Sequence, residues 1–198
     1  MRVLVGCECS STVTAAFRAR GCEAFSCDIQ PCYGDLPEYH LQGDLREIYS
    51  YVNPDLFIAH PPCTFLSRVG LPSLVKNGDL DMLRYEQGLL ARDFFLWCLY
   101  RPARMVCIEN PVPIKRYQLP KPTQIIQPFY FGEPYTKQTC LWLRGLPELC
   151  FTDLVSPVAS WTVVHRSPRI RSKTFQGVAD AMAAAWSGDL VGLQYTLL

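Results

Sequence analysis

The feature that most constrains this chain is a short apolar run, Leu56–Ala59, that ends abruptly at His60-Pro61-Pro62-Cys63. The run predicts a buried strand. Because neither proline can donate a backbone hydrogen bond, the strand must end there and the chain must turn. Cys63 then lies at the carboxyl end of a central strand, the edge where open α/β sheets bind ligands. The cysteine is a candidate nucleophile, and the alternative is that it packs in an apolar corner.

Length and composition indicate one globular domain, which we predict to span residues 1–198. The 198 residues are 49% hydrophobic and 19% charged, so the chain can bury a full core. The net charge of +1 excludes a global field that would draw the protein onto nucleic acid, so any such contact must be a local patch. No apolar run could span a membrane and no signal peptide precedes Cys7, so we expect a cytoplasmic protein.

The ten cysteines contain no C-x-x-C pair. Several, such as Cys27 and Cys107, lie in apolar strand patterns and are typical of small core residues, so we expect reduced thiols and no metal. A zinc-binding structural protein is the alternative. Its potential ligands are Cys7, Cys9, Cys22, Cys27, Cys32 and His40.

The N-terminal segment predicts a strand, a loop, a helix and a second strand. The first strand is Arg2–Gly6, the helix covers about 13–20 with Ser11 or Thr12 as its cap, and the second strand ends at Asp28. A loop of small residues and a carboxylate that accepts ribose hydroxyls suit a nucleoside cofactor. Only one glycine is present where dinucleotide-binding folds have three, which argues against a dehydrogenase.

The next segment offers a second acid and a long helix. Asp44 follows a third short strand, where it could serve the cofactor, cap the next helix (45–52), or do both. Residues 68–80 contain glycine, proline and Asn-Gly and predict a mobile loop. The longest helix begins at Asp79 or Asp81 and ends near residue 100.

Residues 103–111 repeat the pattern of the first feature. A buried strand is stopped by Pro111, with Glu109 and Asn110 at its tip. A glutamate directly after an apolar run is partly desolvated, which predicts a raised pKa and a carboxyl group able to act as an acid near neutral pH. The alternative is a solvated, capping glutamate.

The C-terminal part predicts an extended segment (123–132), a strand (139–143) and a small-residue helix (175–186). Between them, residues 161–173 carry no acid and form the one basic segment of the chain. This segment could neutralise phosphates, although a solvated loop is an alternative. Its basic side chains are His165, Arg166, Arg169, Arg171 and Lys173.

The order of these motifs resembles the DNA cytosine-5 methyltransferase family, and more closely its small phage- and prophage-type members. Pro62-Cys63 matches the family's nucleophile motif, and Glu109-Asn110 matches its Glu-Asn-Val motif with Pro111 in place of valine. The resemblance implies a Rossmann-like class I α/β fold, with a mostly parallel central sheet and helices on both faces. It also implies a cytoplasmic location in a bacterial host if a phage encodes the chain.

The resemblance implies roles for further residues. The catalytic set is Cys63, Glu109, Asn110 and Lys137, the last in place of the arginine that contacts the cytosine carbonyl. Residues implied to bind S-adenosylmethionine, or an analogue such as carboxy-S-adenosylmethionine, are Gly6, Cys7, Glu8, Cys9, Ser10, Asp28, Ile29, Asp44, Leu45, Pro61, Gln176 and Gly177. Residues implied to bind substrate are Pro62, Ser67, Arg68, Arg166, Arg169 and Arg171.

The implied reaction is methyl transfer to carbon 5 of cytosine in DNA. Cytosine needs a thiolate at carbon 6 and an acid at N3 before carbon 5 can attack a sulfonium methyl group, which is why the two motifs must occur together. The site is expected to lower the pKa of Cys63 or to deprotonate it when substrate binds. We expect a monomer or a weak homodimer.

Only residues 145–174 stand where sequence-specific relatives carry a target-recognition region. So short a segment can hardly read several bases in a duplex, so a free cytosine nucleotide or a single strand is an alternative substrate. A catalytically silent nucleic-acid-binding relative is another alternative, because the first loop departs from the family's glycine pattern.

Overall fold

The structure is a computed structural model that describes residues 1–164 and 167–188. Its strands are β1 (Arg2–Gly6), β2 (Glu23–Asp28), β3 (His40–Gln42), β4 (Leu56–Ala59), β5 (Val75–Lys76), β6 (Asp79–Leu80), β7 (Met105–Pro111), β8 (Gln124–Ile126), β9 (Tyr135–Thr136), β10 (Thr139–Arg144) and β11 (Ala159–Ser160). Its helices are α1 (Thr12–Ala19), α2 (Leu45–Val52), α3 (Leu71–Leu74), α4 (Met82–Leu99), α5 (Trp161–Val164), α6 (Pro168–Ser172) and α7 (Gln176–Trp186).

Seven strands form the central sheet, in the order β3-β2-β1-β4-β7-β10-β8. All neighbouring pairs from β3 to β7 are parallel, and β10 runs antiparallel to both β7 and β8. The connections between the parallel strands β1, β2, β3 and β4 carry α1 and α2, as parallel pairing requires. The predicted Rossmann-like α/β fold with a mostly parallel sheet is confirmed.

Alternating side chains of the central strands fill two cores, one on each face. On one face, Val3 and Val5 of β1 pack with α1 and α7. On the other, Leu4 of β1 and Phe57 of β4 pack with α2 and α4. Since both faces are covered, the central strands are apolar throughout, which is why β4 could be recognised from its run of four apolar residues.

Helix α7 packs against α1 through small side chains. Ala179, Ala181 and Ala183 are buried, and Gly177 lies so close to the carbonyl of Phe131 that a Cβ atom there would clash with it. The glycine is therefore required by close packing at the start of the helix.

Residues 68–80 are not the irregular loop that the glycine and proline content suggested. They form a short turn, α3, and an antiparallel hairpin of β5 and β6. The two-residue turn is Asn77-Gly78, with φ of 52° and 91°. Both residues need positive φ in this class of hairpin turn, and Asn-Gly is its strongest sequence signal.

Strand β7 extends further than expected. It continues through Glu109 and Asn110 to Pro111, because β10 pairs with it antiparallel up to Thr139↔Pro111. On the opposite side, β4 pairs with β7 only as far as Ala59↔Ile108. Glu109 is therefore not at a strand tip, as predicted, but within a strand whose β4 neighbour has already ended.

Candidate active site

The carboxyl ends of β1, β2, β4 and β7 meet at one edge of the sheet. Gly6 pairs with Cys27 and with Ala59, and Ala59 pairs with Ile108. The loop after β1, the acid at the end of β2, the Pro-Pro turn after β4 and the Glu-Asn pair of β7 are thus neighbours. This is the juxtaposition that the sequence predicted.

A cavity of about 570 Å³ lies at this edge, within the size range of small-molecule sites. Five of the predicted cofactor-binding residues line it: Cys7, Glu8, Cys9, Ser10 and Asp28. Further along the wall, Tyr33, His60 and Arg169 contribute an aromatic ring, an imidazole and a cation. The cavity therefore offers polar, charged and aromatic contacts together.

The other predicted cofactor residues do not line this cavity. Ile29 is 69% exposed, and Leu45 is buried in the core beneath Gly6, where a Cβ atom would meet its side chain. Pro61 is also buried. Gln176 bonds to Asp180 within α7, and Gly177 serves packing.

Asp44 caps helix α2. Its Oδ1 accepts a hydrogen bond from the backbone N–H of Arg46 at 2.7 Å. Of the two roles left open for Asp44, the structure shows the cap, and Asp44 does not line the cavity.

Glu8 caps helix α1, so the expectation that Ser11 or Thr12 does so is wrong. Its carboxylate accepts from the backbone N–H of Val13 at 2.7 Å, and from the N–H and hydroxyl of Thr14 at 3.2 and 2.6 Å. Ser11 has a φ of 55° and makes no side-chain cap. A carboxylate thus occupies the helix N-terminus, the end that favours anions.

Cys63 lies on a tight turn directly after the two prolines. Its carbonyl accepts from the N–H groups of Leu66 and Ser67 at 3.1 and 2.9 Å. Burial and then the negative charge of Glu109 raise the pKa of the thiol above its ordinary value, while Lys137 acts in the opposite direction. The expectation that the site itself lowers this pKa is wrong without substrate, because desolvation and a nearby carboxylate both favour the neutral thiol.

Glu109 is paired with His60, which the sequence analysis treated only as the end of a strand. His60 Nδ1 lies 3.0 Å from Glu109 Oε2, and both side chains are largely buried. Burial would raise the pKa of Glu109, but the hydrogen bond and charge of His60 outweigh burial and lower it. The predicted rise is therefore wrong.

The pKa of His60 shifts in the complementary direction. Burial alone would lower it, but the hydrogen bond and the charge of Glu109 raise it above its ordinary value. Both shifts favour a protonated imidazole beside an ionised carboxylate. Nε2 of His60 is buried and has no hydrogen-bond partner among the described residues.

Asn110 holds the turn after β4. Its side-chain Nδ2 donates to the carbonyl of Pro61 at 2.7 Å, and the residue is 1% exposed. The amide therefore fastens the strand that carries Glu109 to the turn that carries Cys63. This geometry gives Asn110 a positioning role and no contact with the open cavity.

Lys137 and Glu109 both line a small cavity of about 20 Å³. Its Nζ donates to the carbonyl of Arg171 at 2.9 Å and lies 5.7 Å from the ring of Phe175. The lysine is therefore held by α6 and by the start of α7, with its charge beside the Glu109 carboxylate.

The basic segment lies against the cofactor-sized cavity. Arg169 stacks over the ring of Tyr33 at 4.1 Å and lines the cavity, and Arg171 offers its carbonyl to Lys137. His165 and Arg166 lie outside the described residues. Part of the segment predicted to hold substrate phosphates thus closes the cavity at the ends of β1 and β2.

The other predicted substrate-binding residues are Pro62, Ser67 and Arg68, which flank Cys63 in the chain. Pro62 is exposed and lines the large cavity, whereas Ser67 is 5% exposed. Arg68 is exposed, and its backbone N–H donates to the carbonyl of Val112 at 2.9 Å. This hydrogen bond ties the segment after Cys63 to the segment after Glu109.

His60 and Tyr33 are among the site residues that sequence reasoning missed. The signal for His60 was its position directly before Pro61-Pro62-Cys63, at the end of a buried strand. Tyr33 gave no comparable signal, because its backbone N–H is brought to the carbonyl of Cys9 by a turn that follows β2.

Metal and disulfide chemistry find no support in the described part of the chain. Within it, no three His, Cys, Asp or Glu side chains are grouped as metal ligands. All ten cysteines are described, and none forms a disulfide. Among residues 1–164 and 167–188, no helix is both long enough and apolar enough to cross a membrane.

The fold is similar to that of solved structures. The chain superposes on the Entamoeba histolytica methyltransferase EhMeth with a TM-score of 0.51 and 14% identity, over 78% of this chain and 57% of that one. The S. pombe Dnmt2 methyltransferase gives a TM-score of 0.44 and 12% identity, over 75% and 51%. The second likeness is too weak to carry an argument, and the first shows that the two proteins share a fold.

The sequence comparisons give no further assignment. No protein-family model matches the chain, and no curated protein sequence matches it. The chain also spans little more than half the length of the solved structures it resembles. Activity, cofactor and substrate must therefore be argued from this chain's own residues.

Proposed function

We propose that this protein is an S-adenosylmethionine-dependent methyltransferase that modifies carbon 5 of cytosine in DNA. The observation that carries the proposal is that the turn with Cys63 is bonded to strand β7 beside Glu109, near enough for the carboxylate to raise the pKa of the thiol. Lys137 lies beside the carboxylate, and a cavity of nucleoside size opens next to the turn. Amino- or ribose-directed methyl transfer needs no thiol in such a place.

The residues that line the cavity of about 570 Å³ fit S-adenosylmethionine or a close analogue. Asp28, at the end of β2, would accept hydrogen bonds from the ribose hydroxyls, and Tyr33 would offer a ring face, since both line the cavity. Since Glu8 already occupies the N-terminus of α1, Arg169 is the cation that would hold the cofactor carboxylate. Bound there, the cofactor supplies an electrophilic methyl group.

Cys63 would form the covalent bond to carbon 6 of the cytosine ring. Its raised pKa favours the neutral thiol in the free protein, so the thiol would lose its proton to water only as sulfur adds to the ring. Addition of sulfur turns carbon 5 into an enamine carbon that can attack the methyl group. Loss of the carbon 5 proton to a base then breaks the sulfur–carbon bond and releases the thiolate.

Glu109 and His60 would act together at N3 of the ring. The proton held on His60 Nδ1 moves to Glu109, and Glu109 donates it to N3 as negative charge develops there. This supplies the acid that the lowered pKa of Glu109 alone would not provide. Lys137, which lines a cavity together with Glu109, would contact the cytosine carbonyl oxygen.

Transfer of a labelled methyl group tests the proposal. Wild-type protein, labelled S-adenosylmethionine and cytosine substrates as duplex, single strand or free nucleotide should give labelled 5-methylcytosine. Cys63→Ala should abolish transfer, whereas Cys150→Ala, which removes an exposed cysteine away from the site, should not. Unchanged transfer by Cys63→Ala would overturn the mechanism.

The Glu8 cap also favours a second candidate, a silent nucleic-acid-binding relative. The helix end that would otherwise attract an anionic cofactor group is already occupied. Calorimetry separates the two candidates. Binding of S-adenosylmethionine that Asp28→Ala weakens supports the enzyme, whereas absence of cofactor binding together with salt-sensitive binding of nucleic acid supports the silent relative.

A further inference from the structure

A basic groove lies on the far side of the site from the cofactor-sized cavity. Its volume is about 840 Å³, and no acidic residue is among those that line it. Its cations are Arg68, Lys115, Arg116 and Lys121. The last three are exposed and follow β7 in the chain, outside the basic segment that the sequence analysis singled out.

Two segments without acids build this groove. No Asp or Glu occurs between residues 60 and 78 or between residues 110 and 132. The chain as a whole has a net charge of only +1, so its acids lie elsewhere and the groove collects unbalanced positive charge. Charge of one sign along a concave surface concentrates polyanions there.

The groove also has apolar walls. Leu71, Val75 and Ile125 line it and are 43%, 37% and 47% exposed. Prolines at 113, 120 and 122 add further apolar surface without backbone donors. Apolar surface between cations suits a strand whose unpaired bases can lie against the wall while its phosphates meet the cations.

The groove is continuous with the site. A neighbouring cavity of about 470 Å³ shares Arg68 and Val112 with the groove and reaches Ser67 and Lys137. The hydrogen bond from the Arg68 N–H to the Val112 carbonyl joins the two segments at this junction. A chain that enters along the groove therefore arrives beside Lys137 and the Cys63 turn.

We propose that this groove binds the single-stranded DNA that carries the target cytosine. The inference rests on the proposed function and makes it more specific, because a free nucleotide has no flanking phosphates to fill the groove. A duplex hides its bases from the apolar walls, whereas a single strand presents bases and phosphates together. The groove thus supplies strand binding that residues 145–174 are too short to provide.

Salt-dependent binding of a fluorescent oligonucleotide tests the inference. The probe is a single-stranded DNA of about 12 nucleotides, within the span that one binding surface covers. Lys115→Ala/Lys121→Ala is compared with Arg20→Ala/Arg104→Ala, which removes two exposed cations at the opposite edge of the sheet. Both variants change the net charge equally, and thermal unfolding confirms that each is folded.

The groove variant should lose two phosphate contacts. The slope of log K against log salt should fall by about 1.4, at roughly 0.7 for each contact with a single strand. Affinity near 0.1 M salt should fall about tenfold or more. The control variant should keep the wild-type slope. Equal losses in both variants, or an unchanged slope in the groove variant, would overturn the inference.

Competitors of the same sequence test the identity of the occupant. Single-stranded DNA should compete better than duplex DNA, and at least as well as single-stranded RNA. A tighter duplex or a tighter RNA would contradict the proposed occupant. If wild-type protein binds the strand through the groove but transfers no methyl group, the proposed function fails and the groove stands. If transfer occurs without groove-dependent binding, only the groove fails.

Discussion

Strands β4 and β7 both run from an apolar core into proline, yet they end differently. β4 stops at Ala59, and the prolines at 61 and 62 turn the chain so that Cys63 lies on a loop. β7 continues through Pro111, since β10 still pairs with it on one side after β4 has ended on the other. Proline therefore ends a strand only where no other partner can keep the chain extended.

The difference gives the two reactive groups different mechanical settings. Glu109 lies on a paired strand, with its carboxylate fixed by His60 at 3.0 Å. Cys63 lies on a turn that its own carbonyl stabilises through Leu66 and Ser67. In the proposed mechanism, Glu109 is therefore a fixed acid, whereas Cys63 is a nucleophile that can adjust its position to the cytosine ring. The predictions below test this contrast.

The largest effect is expected from Glu109→Gln. Loss of the acid at N3 should lower the rate of methyl transfer about 10²- to 10⁴-fold, the usual contribution of general acid–base catalysis. Glu148→Gln, at an exposed glutamate, is the matched control and should keep the wild-type rate. Single-turnover transfer measures both. Equal rates for Glu109→Gln and wild type would show that the fixed carboxylate is not used.

A smaller effect on rate, with a change in pH dependence, is expected from His60→Gln. Without the imidazolium, only Lys137 opposes the effect of burial, so the pKa of Glu109 should rise, while the supply of the shared proton is lost. The rate of methyl transfer near pH 7 should fall about tenfold. The pH at which the rate declines on the alkaline side should also change. A pH profile identical to that of wild type would contradict the shared proton.

The same pair sets a pH dependence of stability. The pKa of His60 in the folded protein is higher than its value near 6.5 in the unfolded chain. Protonated His60 therefore stabilises the fold below about pH 6.5, and this stabilisation is lost as the pH rises through the pKa of the folded protein. The lowered pKa of Glu109 contributes stability above about pH 4.5, the pKa of an ordinary glutamate, and this stability is lost as the pH falls through the pKa of the folded protein. Urea unfolding should therefore show a larger drop from about pH 5.5 to 8.5 for wild type than for His60→Gln.

The Cys63 thiol should react slowly with iodoacetamide in the free protein. Its pKa is raised above 9.0, so little thiolate exists at neutral pH, and the rate should climb as pH approaches that value and passes it. Exposed Cys150 provides the internal comparison. Peptide mapping after timed alkylation measures both sites, and fast labelling of Cys63 near pH 7 would contradict a neutral thiol on the turn.

The smallest effect on chemistry is expected from Asn110→Ala. Removing the amide that bonds the Pro61 carbonyl should cost roughly 1–3 kcal/mol of stability, because a buried acceptor is left unpaired. Gln138→Ala, at an exposed amide, is the control. Equal urea midpoints for the two variants would show that this bond does not fasten the two strands.

Local sequence patterns predicted much of the fold. The apolar runs of β4 and β10, the Asp81 cap of α4 and the small-residue helix α7 agree with the structure within a few residues. Each depends on neighbours in sequence, where periodicity and capping act. The hairpin at Asn77-Gly78 was missed, because its glycine and proline content was interpreted as a mobile loop although Asn-Gly is the strongest signal for such a turn.

Long-range contacts account for what the sequence could not predict. The pKa of Glu109 depends on His60, 49 residues away, and burial alone gave the wrong direction. The end of β7 depends on pairing with β10, which no local pattern specifies. Glu8 caps α1 from outside the usual cap position, and Tyr33 reaches the cavity through a turn. Each requires the folded arrangement of distant segments.

The central claim, a covalent bond between Cys63 and carbon 6 of cytosine, can be tested by trapping the adduct. A single-stranded DNA with 5-fluorocytosine at the target cannot lose the carbon 5 substituent as a proton, so the sulfur–carbon bond should persist after methyl transfer. With S-adenosylmethionine present, mass spectrometry should find one DNA adduct per chain, on the peptide that contains Cys63, and none with Cys63→Ala. Methylated product without an adduct, or an adduct that survives Cys63→Ala, would contradict the account.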